Sequence, residues 1–541
     1  MLVLCIILLV LVGGLRGHRA WSATGYPPDG PVVGRVLLLG DPVPLRDGGW
    51  RAEVRHDGRR LHAEFGAAHT VVADLLAGQH VEIEAVVIRP ARRWQRIRHV
   101  AGTIEVDRVG ATAPADRIHR AANGIRRLLE RGAGSLDDGQ RALLTGLVFG
   151  DDRGQSDNTA DDFRAAGLGH LLAVSGQNVA FVLAAASPLL GRIRFRARAP
   201  LTLALLGFFA VLTRFEPSVL RATVMAGGSA LSVAMGRRQA GVRLLVATVG
   251  VLLLVDPLLA HRAAFRLSVV ASAGILLAAR PLADLLVGPR ALRDAIGVTL
   301  AAQAAVTPLL LATFGPVPVA ALPANVLAAP VAGPIMVWGI TGGLIAGLVD
   351  SIGLDGVARI LHLPTAVGLD WVAGVAGTAA RYPTGLLGPS AGSVGAGLVG
   401  IAALLSATGR RRSGRLALGG VAVLLLVVAV ASLSGPALVG ASDGVRVLGG
   451  GPDGSVVVVD RSMGSQRLLA ELRRRGVDDL LLVVFREPVP AGQADALTGR
   501  FGPHLRWGPT GSVSALQPVD GQRVQVGGTT WVVHRRSGRL L

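Results

Sequence analysis

Two polar groups stand inside runs that are otherwise apolar enough to cross a bilayer. Arg221 sits within Ser218–Ala234, and His170, Ser175, Gln177 and Asn178 sit within Leu168–Leu190. Charged and amide side chains at membrane depth are costly, and they face a bundle interior or a water-filled path. Their chemistry is that of hydrogen bonding and of one fixed positive charge, suited to holding or moving something hydrophilic. If residues 168–190 are one helix, His170 and Gln177 fall about 20° apart and Asn178 within about 80° of His170, with Ser175 on the far flank. Glycines 167, 169 and 176 allow that helix to break and line a cavity with backbone groups. Ser218, Arg221 and Met225 share a sector of about 60°. Arg221 has two open roles: a structural partner of Glu216, or a contact to a phosphate or to an amide of 168–190. Thr299, Gln303 and Thr307 form a further polar stripe at i, i+4, i+8, with Asn325 on the segment after it. Arg266 and Ser268 open another span, where Arg266 has the alternative of snorkelling to the interface.

The elements that carry these residues are membrane spans. The chain has 541 residues, 51% hydrophobic, with mean hydropathy +0.51. Apolar runs of about 16–23 residues recur, most of them long enough for roughly 30 Å of hydrocarbon. Candidate spans are 168–190, 199–214, 217–236, 242–260, 264–280, 294–313, 317–334, 335–350, 386–407 and 416–437, with 351–385 ambiguous. Prolines 323, 330 and 334 are expected to break the segment around Asn325. The net charge is +19 and arginine fills all 55 basic positions. A coding bias and cytoplasmic loops account for such a count as well as a polyanion partner does. The lone cysteine, Cys5, forms no internal disulfide. Met1–Val12 has no basic n-region and does not read as a cleaved signal.

Residues 31–109 alternate in five short strands, read as an OB-like β-barrel. One of its loops sets Arg92, Arg96 and Arg98, with Arg89 and Arg93, around Trp94. Basic residues around an aromatic suit single-stranded nucleic acid, and equally a solvated loop near headgroups. Within 115–150, Asp116–Arg131 gathers Ile118, Ile125, Leu128 and Leu129 on one side and five arginines on the rest, as an interfacial helix does. The arginine-rich loops 192–198, 237–243, 280–293 and 410–415 alternate with poorer ones at 214–217, 256–263 and 314–317. Assigning the rich loops to the cytoplasm puts both the barrel and the tail after Gly435 on the outer face. The tail, 445–541, reads as α/β, with Asp460 following a strand and valines 524, 526, 532 and 533 in a closing hairpin.

Gly167–Val179 (GLGHLLAVSGQNV) closely resembles the signature of the ComEC-type DNA internalisation proteins of bacterial competence. So do Leu147–Asp151, Ser218–Met225, Asp256 with Pro257, Phe265–Ser268, and Asn325 with Pro330, in the family's order across about 140–335. The resemblance implies a polytopic α-helical membrane protein with an N-terminal OB-like domain, a transmembrane domain at 160–437 and a C-terminal metallo-β-lactamase-like domain. It implies a channel that passes single-stranded DNA from outside the cell membrane into the cytoplasm, with a cytoplasmic motor ATPase and extracellular DNA-delivery proteins as partners besides membrane lipid. Members usually begin with two spans before the barrel; this chain has one short apolar segment within 1–20, so a start upstream or a shortened protein is expected. An active nuclease tail would carry a His-x-His-x-Asp-His cluster after the strand ending near Phe485, where this chain reads Arg486–Ala491. Only His504 and His534 occur in the tail, too few to hold two metals. The tail is therefore expected to be degenerate, with no catalytic residue, metal or cofactor. Two other functions stay in view: a transporter of a smaller anionic solute, which leaves barrel and tail unexplained, and a membrane-tethered nuclease, which the missing ligands oppose.

Overall fold

The computed structural model describes residues 2–24, 30–45, 48–172, 174–237, 240–314, 317–381 and 386–387, and separate stretches of 445–540. A first helix, α1 (Leu2–Ala23), precedes the strands β1 (Val32–Leu38), β2 (Val43–Pro44), β3 (Trp50–His56), β4 (Arg59–Phe65), β5 (His80–Pro90) and β6 (Val100–Ala113). Period-two alternation buries Val32, Val36, Ala52, Val54, Leu61, Ala63, Val81 and Ile83 on one face, so the sheet must curl around them. It closes: β1 pairs with β3 and β5, β3 with β4, β4 with β6 in parallel, and β6 with β5, giving a five-strand barrel with β2 as an extra edge on β3. The barrel expected at 31–109 is present. The short helix α2 (Arg93–Arg96) lies in its arginine loop.

Helices α3 (Arg117–Gly132), α4 (Asp138–Phe149) and α5 (Asp157–Ala165) lead into α6 (Gly176–Arg192), α7 (Phe195–Leu212), α8 (Pro217–Ala234), α9 (Gly241–Val255), α10 (Ala263–Asp284), α11 (Arg290–Phe314), α12 (Ala321–Asp350) and α13 (Asp355–Arg381). Five of these, α7, α10, α11, α12 and α13, are long and apolar enough to cross a membrane, and α9 is a shorter apolar helix. This is a membrane protein.

Two span expectations need correction, and one open segment is resolved. Segments 317–334 and 335–350 are one helix, α12, of 30 residues, with Pro330 and Pro334 inside it. Each proline removes one donor, a loss that a long helix packed on α3 and α13 absorbs. The ambiguous 351–385 contains a full-length helix, α13. The segment 168–190 is helical only from Gly176. Residues 386–387 form a two-residue strand, β8 (Leu386–Leu387), paired with β7 (Val317–Pro318). The remainder of the candidate span 386–407, the span 416–437 and the arginine run 410–415 lie outside the described residues.

Helix α3 crosses α12 at glycines. A methyl group on Gly347 would overlap the carbonyl of Leu128, and one on Gly132 would fall 2.5 Å from both the Gly343 carbonyl and the Gly347 nitrogen. Such approach, backbone on backbone, is what small residues permit between helices. In the tail, β9 (Val445–Gly451), β10 (Gly454–Val459), β11 (Leu480–Phe485) and β12 (Leu505–Trp507) form one mixed sheet. Helix α14 (Ser465–Arg474) connects the parallel pair β10–β11, and β13 (Arg523–Val526) and β14 (Thr529–Val532) make the expected hairpin. The tail touches α5, where Arg164 Nη2 donates to Gln466 Oε1 at 2.9 Å.

Candidate functional site

The stretch before α6 folds as a turn, not as a helix. Gly167 takes φ +70°, a left-handed conformation that favours glycine, and it packs against Ala321 of α12. Gly169–Leu171 is a single 3-10 turn, and α6 starts only after Ser175. Ser175 is the N-cap: its Oγ accepts from the Gln177 amide at 3.2 Å and donates to Asn178 Oδ1 at 3.0 Å. Asn178 is buried and its Nδ2 donates to the Leu147 carbonyl at 2.7 Å, fastening α6 to the end of α4. The expected shared helical face of His170, Gln177 and Asn178 is therefore incorrect, because a cap and a turn separate His170 from the helix. Asn178 is a fastener, whereas His170 and Gln177 are exposed. His170 lies in the 3-10 turn ahead of α6 with an exposed side chain. Glu216, at the head of α8, is exposed too.

Arg221 is buried in α8, 8% exposed. Its Nε donates to Ser268 Oγ on α10 at 2.8 Å, and Nη1 approaches Met225 Sδ at 3.9 Å. Among the described residues no carboxylate lies within 4.0 Å of its guanidinium, so the partnership with Glu216 is not made. A neighbour, Ser218, donates to the Val174 carbonyl at 2.6 Å and so ties α8 to the turn before α6. The structure thus brings Ser175, Asn178, Ser218, Arg221 and Ser268 to one junction of α6, α8 and α10. Gln303 and Asn325 do not join it: Gln303 Nε2 donates to Thr307 Oγ1 at 3.5 Å, and Asn325 Nδ2 to the Ala321 carbonyl at 2.7 Å, each within its own helix. Arg266 is half-buried in the first turn of α10.

The arginine loop divides. Arg96 stacks on Trp21 at 4.0 Å from the ring centre and donates to the Trp21 carbonyl at 2.8 Å, clamping the end of α1. Arg98 pairs with Glu53 at 2.9 Å. Burial alone would raise the Glu53 carboxyl, but the His62 hydrogen bond and the Arg98 charge hold it below the usual range. Arg92 and Trp94 remain exposed, with Trp94 tilted over His62 at 5.7 Å between ring centres. Two of the four residues expected to face nucleic acid are therefore already engaged, Arg96 with α1 and Arg98 with strand β3 of the barrel itself.

Sequence reasoning missed the buried charges between barrel and helices. Arg126, one of the arginines expected on the polar side of α3, is 2% exposed. Its Nη2 donates to Asp41 Oδ2 at 3.0 Å and to Asp151 Oδ2 at 2.6 Å, and Nη1 donates to the Leu212 carbonyl at 3.2 Å. Arg214 donates to Asp41 Oδ1 and to Asn123 Oδ1, both at 2.8 Å, while Arg153 forks onto Asp151. Burial would raise both carboxyls. The charges of Arg126 and Arg214 hold Asp41 below the usual range, and the Arg153 hydrogen bond and charge do so for Asp151. A second junction joins His99 of the barrel to Asp256 at 2.9 Å, with Arg262 Nε donating to the Ile97 carbonyl at 3.3 Å. Asp151 and Asp256 stood out as motif residues, but nothing in their spacing named their partners, Arg126 for Asp151 and His99, 157 positions away, for Asp256. In the tail, both Asp460 oxygens are taken, by Arg446 twice at 2.8 Å and by Arg486 at 3.2 Å. Among the described residues no group of three His, Cys, Asp or Glu is placed to hold a metal. His504 and His534 lie outside them.

An apolar helical bundle with a barrel fastened to it by buried ion pairs is a membrane-embedded scaffold, and its polar junction is built from the very stretches singled out by sequence. Residues 147–413 match the family described as Competence protein, and the chain belongs to that family. Comparison with curated proteins and with solved structures returned no match.

Proposed function

We propose that this chain is a ComEC-type channel of the cell membrane that takes single-stranded DNA into the cytoplasm, with both soluble units on the outer face. The observation that carries the reading is Arg221: a guanidinium inside the bundle, hydrogen-bonded to a serine and, among the described residues, facing no carboxylate. A buried cation without a counter-charge is expensive, and a passing phosphate would offset that cost. His170 and Gln177, exposed near the same turn, would supply polar groups to a path for a polyanion that hydrocarbon would reject. Placement of both soluble units on one face is supported by their contacts with one segment: Arg153 donates to the Pro42 carbonyl at 3.4 Å, and Arg164 bonds the tail. The barrel's strand order, with its single parallel pair, is that of OB-like folds, which bind oligonucleotides. We read the tail as a degenerate metallo-β-lactamase-like unit, since Arg446 and Arg486 already neutralise Asp460. The chain conducts and does not cleave; a cytoplasmic motor ATPase pulls the strand, and extracellular proteins deliver it. The test is to delete this chain from a naturally transformable host that depends on it and follow fluorescent external DNA into the nuclease-protected pool. Loss of that pool, restored by the intact gene, is expected; an unchanged pool would overturn the proposal.

A further inference from the structure

The hairpin of α12 and α13 holds an imidazole for which the described residues offer no partner. His362, on α13, is 1% exposed, and neither of its ring nitrogens makes a hydrogen bond among them. One turn on, the same face buries Thr365 completely, and its Oγ1 is unpartnered too. A helical threonine commonly donates to the carbonyl four residues back. Here that carbonyl, Leu361, accepts Trp338 Nε1 of α12 at 2.8 Å. Trp371 Nε1 of α13 donates in return to the Leu327 carbonyl of α12 at 3.1 Å, so the two helices are clasped on either side of the buried pair. The imidazole is aimed at the glycine crossing of α3 and α12. A methyl group on Gly343 would meet His362 Cε1 and Leu129 Cγ of α3, each at 3.5 Å.

We infer that His362 is an acid-sensitive latch of the joint between α3, α12 and α13: neutral, it lets the three helices close, and protonated, it drives them apart. A buried imidazolium needs a carboxylate or a set of acceptors, and the described residues around it supply neither. Leu129 faces the ring from α3 and Gly343 from α12, and no charged side chain among the described residues acts on it. On α3, Arg126 is taken by Asp41 and Asp151, Glu130 feels that same network, and Arg127 and Arg131 are exposed. The one charged residue of α12, Asp350, is its last. On α13, Arg359 is exposed and Asp370 accepts from Gln140 of α4 at 2.9 Å. Arg141 of α4 donates to the Ala133 and Leu136 carbonyls, and Asp162 of α5 lies beside Gly377, about four turns along α13. Folding therefore selects the neutral ring, whereas the unfolded chain takes up a proton below about pH 6.5. The stability contributed by the joint is full above that value and is lost progressively as pH falls beneath it. Asp41 and Asp151 act in a lower window, below about pH 4, so the two effects separate. Because α3 also carries Arg126, an opened joint would unseat the helix that fastens the barrel.

The experiment uses the full chain in lipid nanodiscs, as wild type and as His362→Leu, with 5-fluorotryptophan incorporated. Melting temperature and the fluorine resonance of Trp338, assigned by its loss in Trp338→Phe, are followed from about pH 8 to about pH 5. Trp338 bonds the carbonyl of the residue beside His362 and so reports on the joint itself. Wild type is expected to lose several degrees over this range and to shift the Trp338 resonance with a midpoint below about pH 6.5. His362→Leu is expected to keep a constant Trp338 resonance and to lose fewer degrees than wild type. Should His362→Leu fail to fold, His362→Gln, which stays polar and does not titrate, decides by the same two readouts. A Trp338 resonance that does not respond to pH in wild type, or that shifts equally in the folded variant, overturns the latch. So does a wild type that gains stability over the variant on acidification, because the charged ring would then have found an acceptor.

Discussion

Replacing Arg126 by methionine tests how the barrel is held to the helices. The methionine keeps much of the buried volume and removes three bonds, to Asp41 at 3.0 Å, to Asp151 at 2.6 Å and to the Leu212 carbonyl at 3.2 Å. Two carboxylates whose oxygens shared one nitrogen are then left facing each other, each with its other arginine, Arg214 or Arg153, still in place. Removing one member of a buried charge network costs about 3–5 kcal/mol, and the two surviving arginines place this variant near the lower end. Unfolding midpoints in detergent, read at neutral pH, should fall accordingly. The pH dependence has a definite sign. Asp41 and Asp151 are held below their ordinary values in the folded state, so their contribution is full above the unfolded value of about 4 and is lost as pH falls through the folded values. The gap between wild type and Arg126→Met should therefore be widest at pH 6–8 and narrow on acidification. A gap below about 1 kcal/mol at pH 7, or one that stays constant down to pH 3, would refute the assignment of this network as the main fastener.

Other outcomes follow from single contacts. Asn178→Leu leaves the buried Leu147 carbonyl without its donor and should cost about 1–3 kcal/mol, seen as a lower melting temperature. Gly347→Ala drives a methyl into the Leu128 carbonyl and should reduce membrane abundance or melting temperature by a cost of about 1–3 kcal/mol, while Gly356→Ala, where the added carbon meets open space, should change little. Full-length protein supplied with manganese or zinc should leave a labelled single strand intact. Cleavage abolished by Asp460→Asn would contradict the degenerate-tail reading.

What sequence made legible was what depends on local pattern. Alternation in 31–109 required a curled sheet, and the barrel is there. A charged residue in an apolar run marked Arg221, which is buried. Local signals were also misread. Ser175 before Gly176 is an N-cap pattern, but treating 168–190 as one helix hid it and put His170 on the wrong element. Pro330 and Pro334 argued for a break that α12 does not make, because tertiary packing outweighs two missing donors. The charge network was illegible for a different reason. Asp41, Arg126, Asp151 and Arg214 come from a barrel loop, an amphipathic helix and two interhelical loops, and only the closed fold brings them within hydrogen-bond reach. Long-range pairing of this kind has no periodicity to read.

We propose that the fixed positive charge of Arg221 inside the bundle helps carry a DNA strand across the membrane. It is tested most directly by measuring nuclease-protected DNA in cells whose only copy is Arg221→Gln, at membrane abundance equal to wild type. Import should drop at least tenfold, with partial return in Arg221→Lys. Import at the wild-type level in Arg221→Gln would contradict the account.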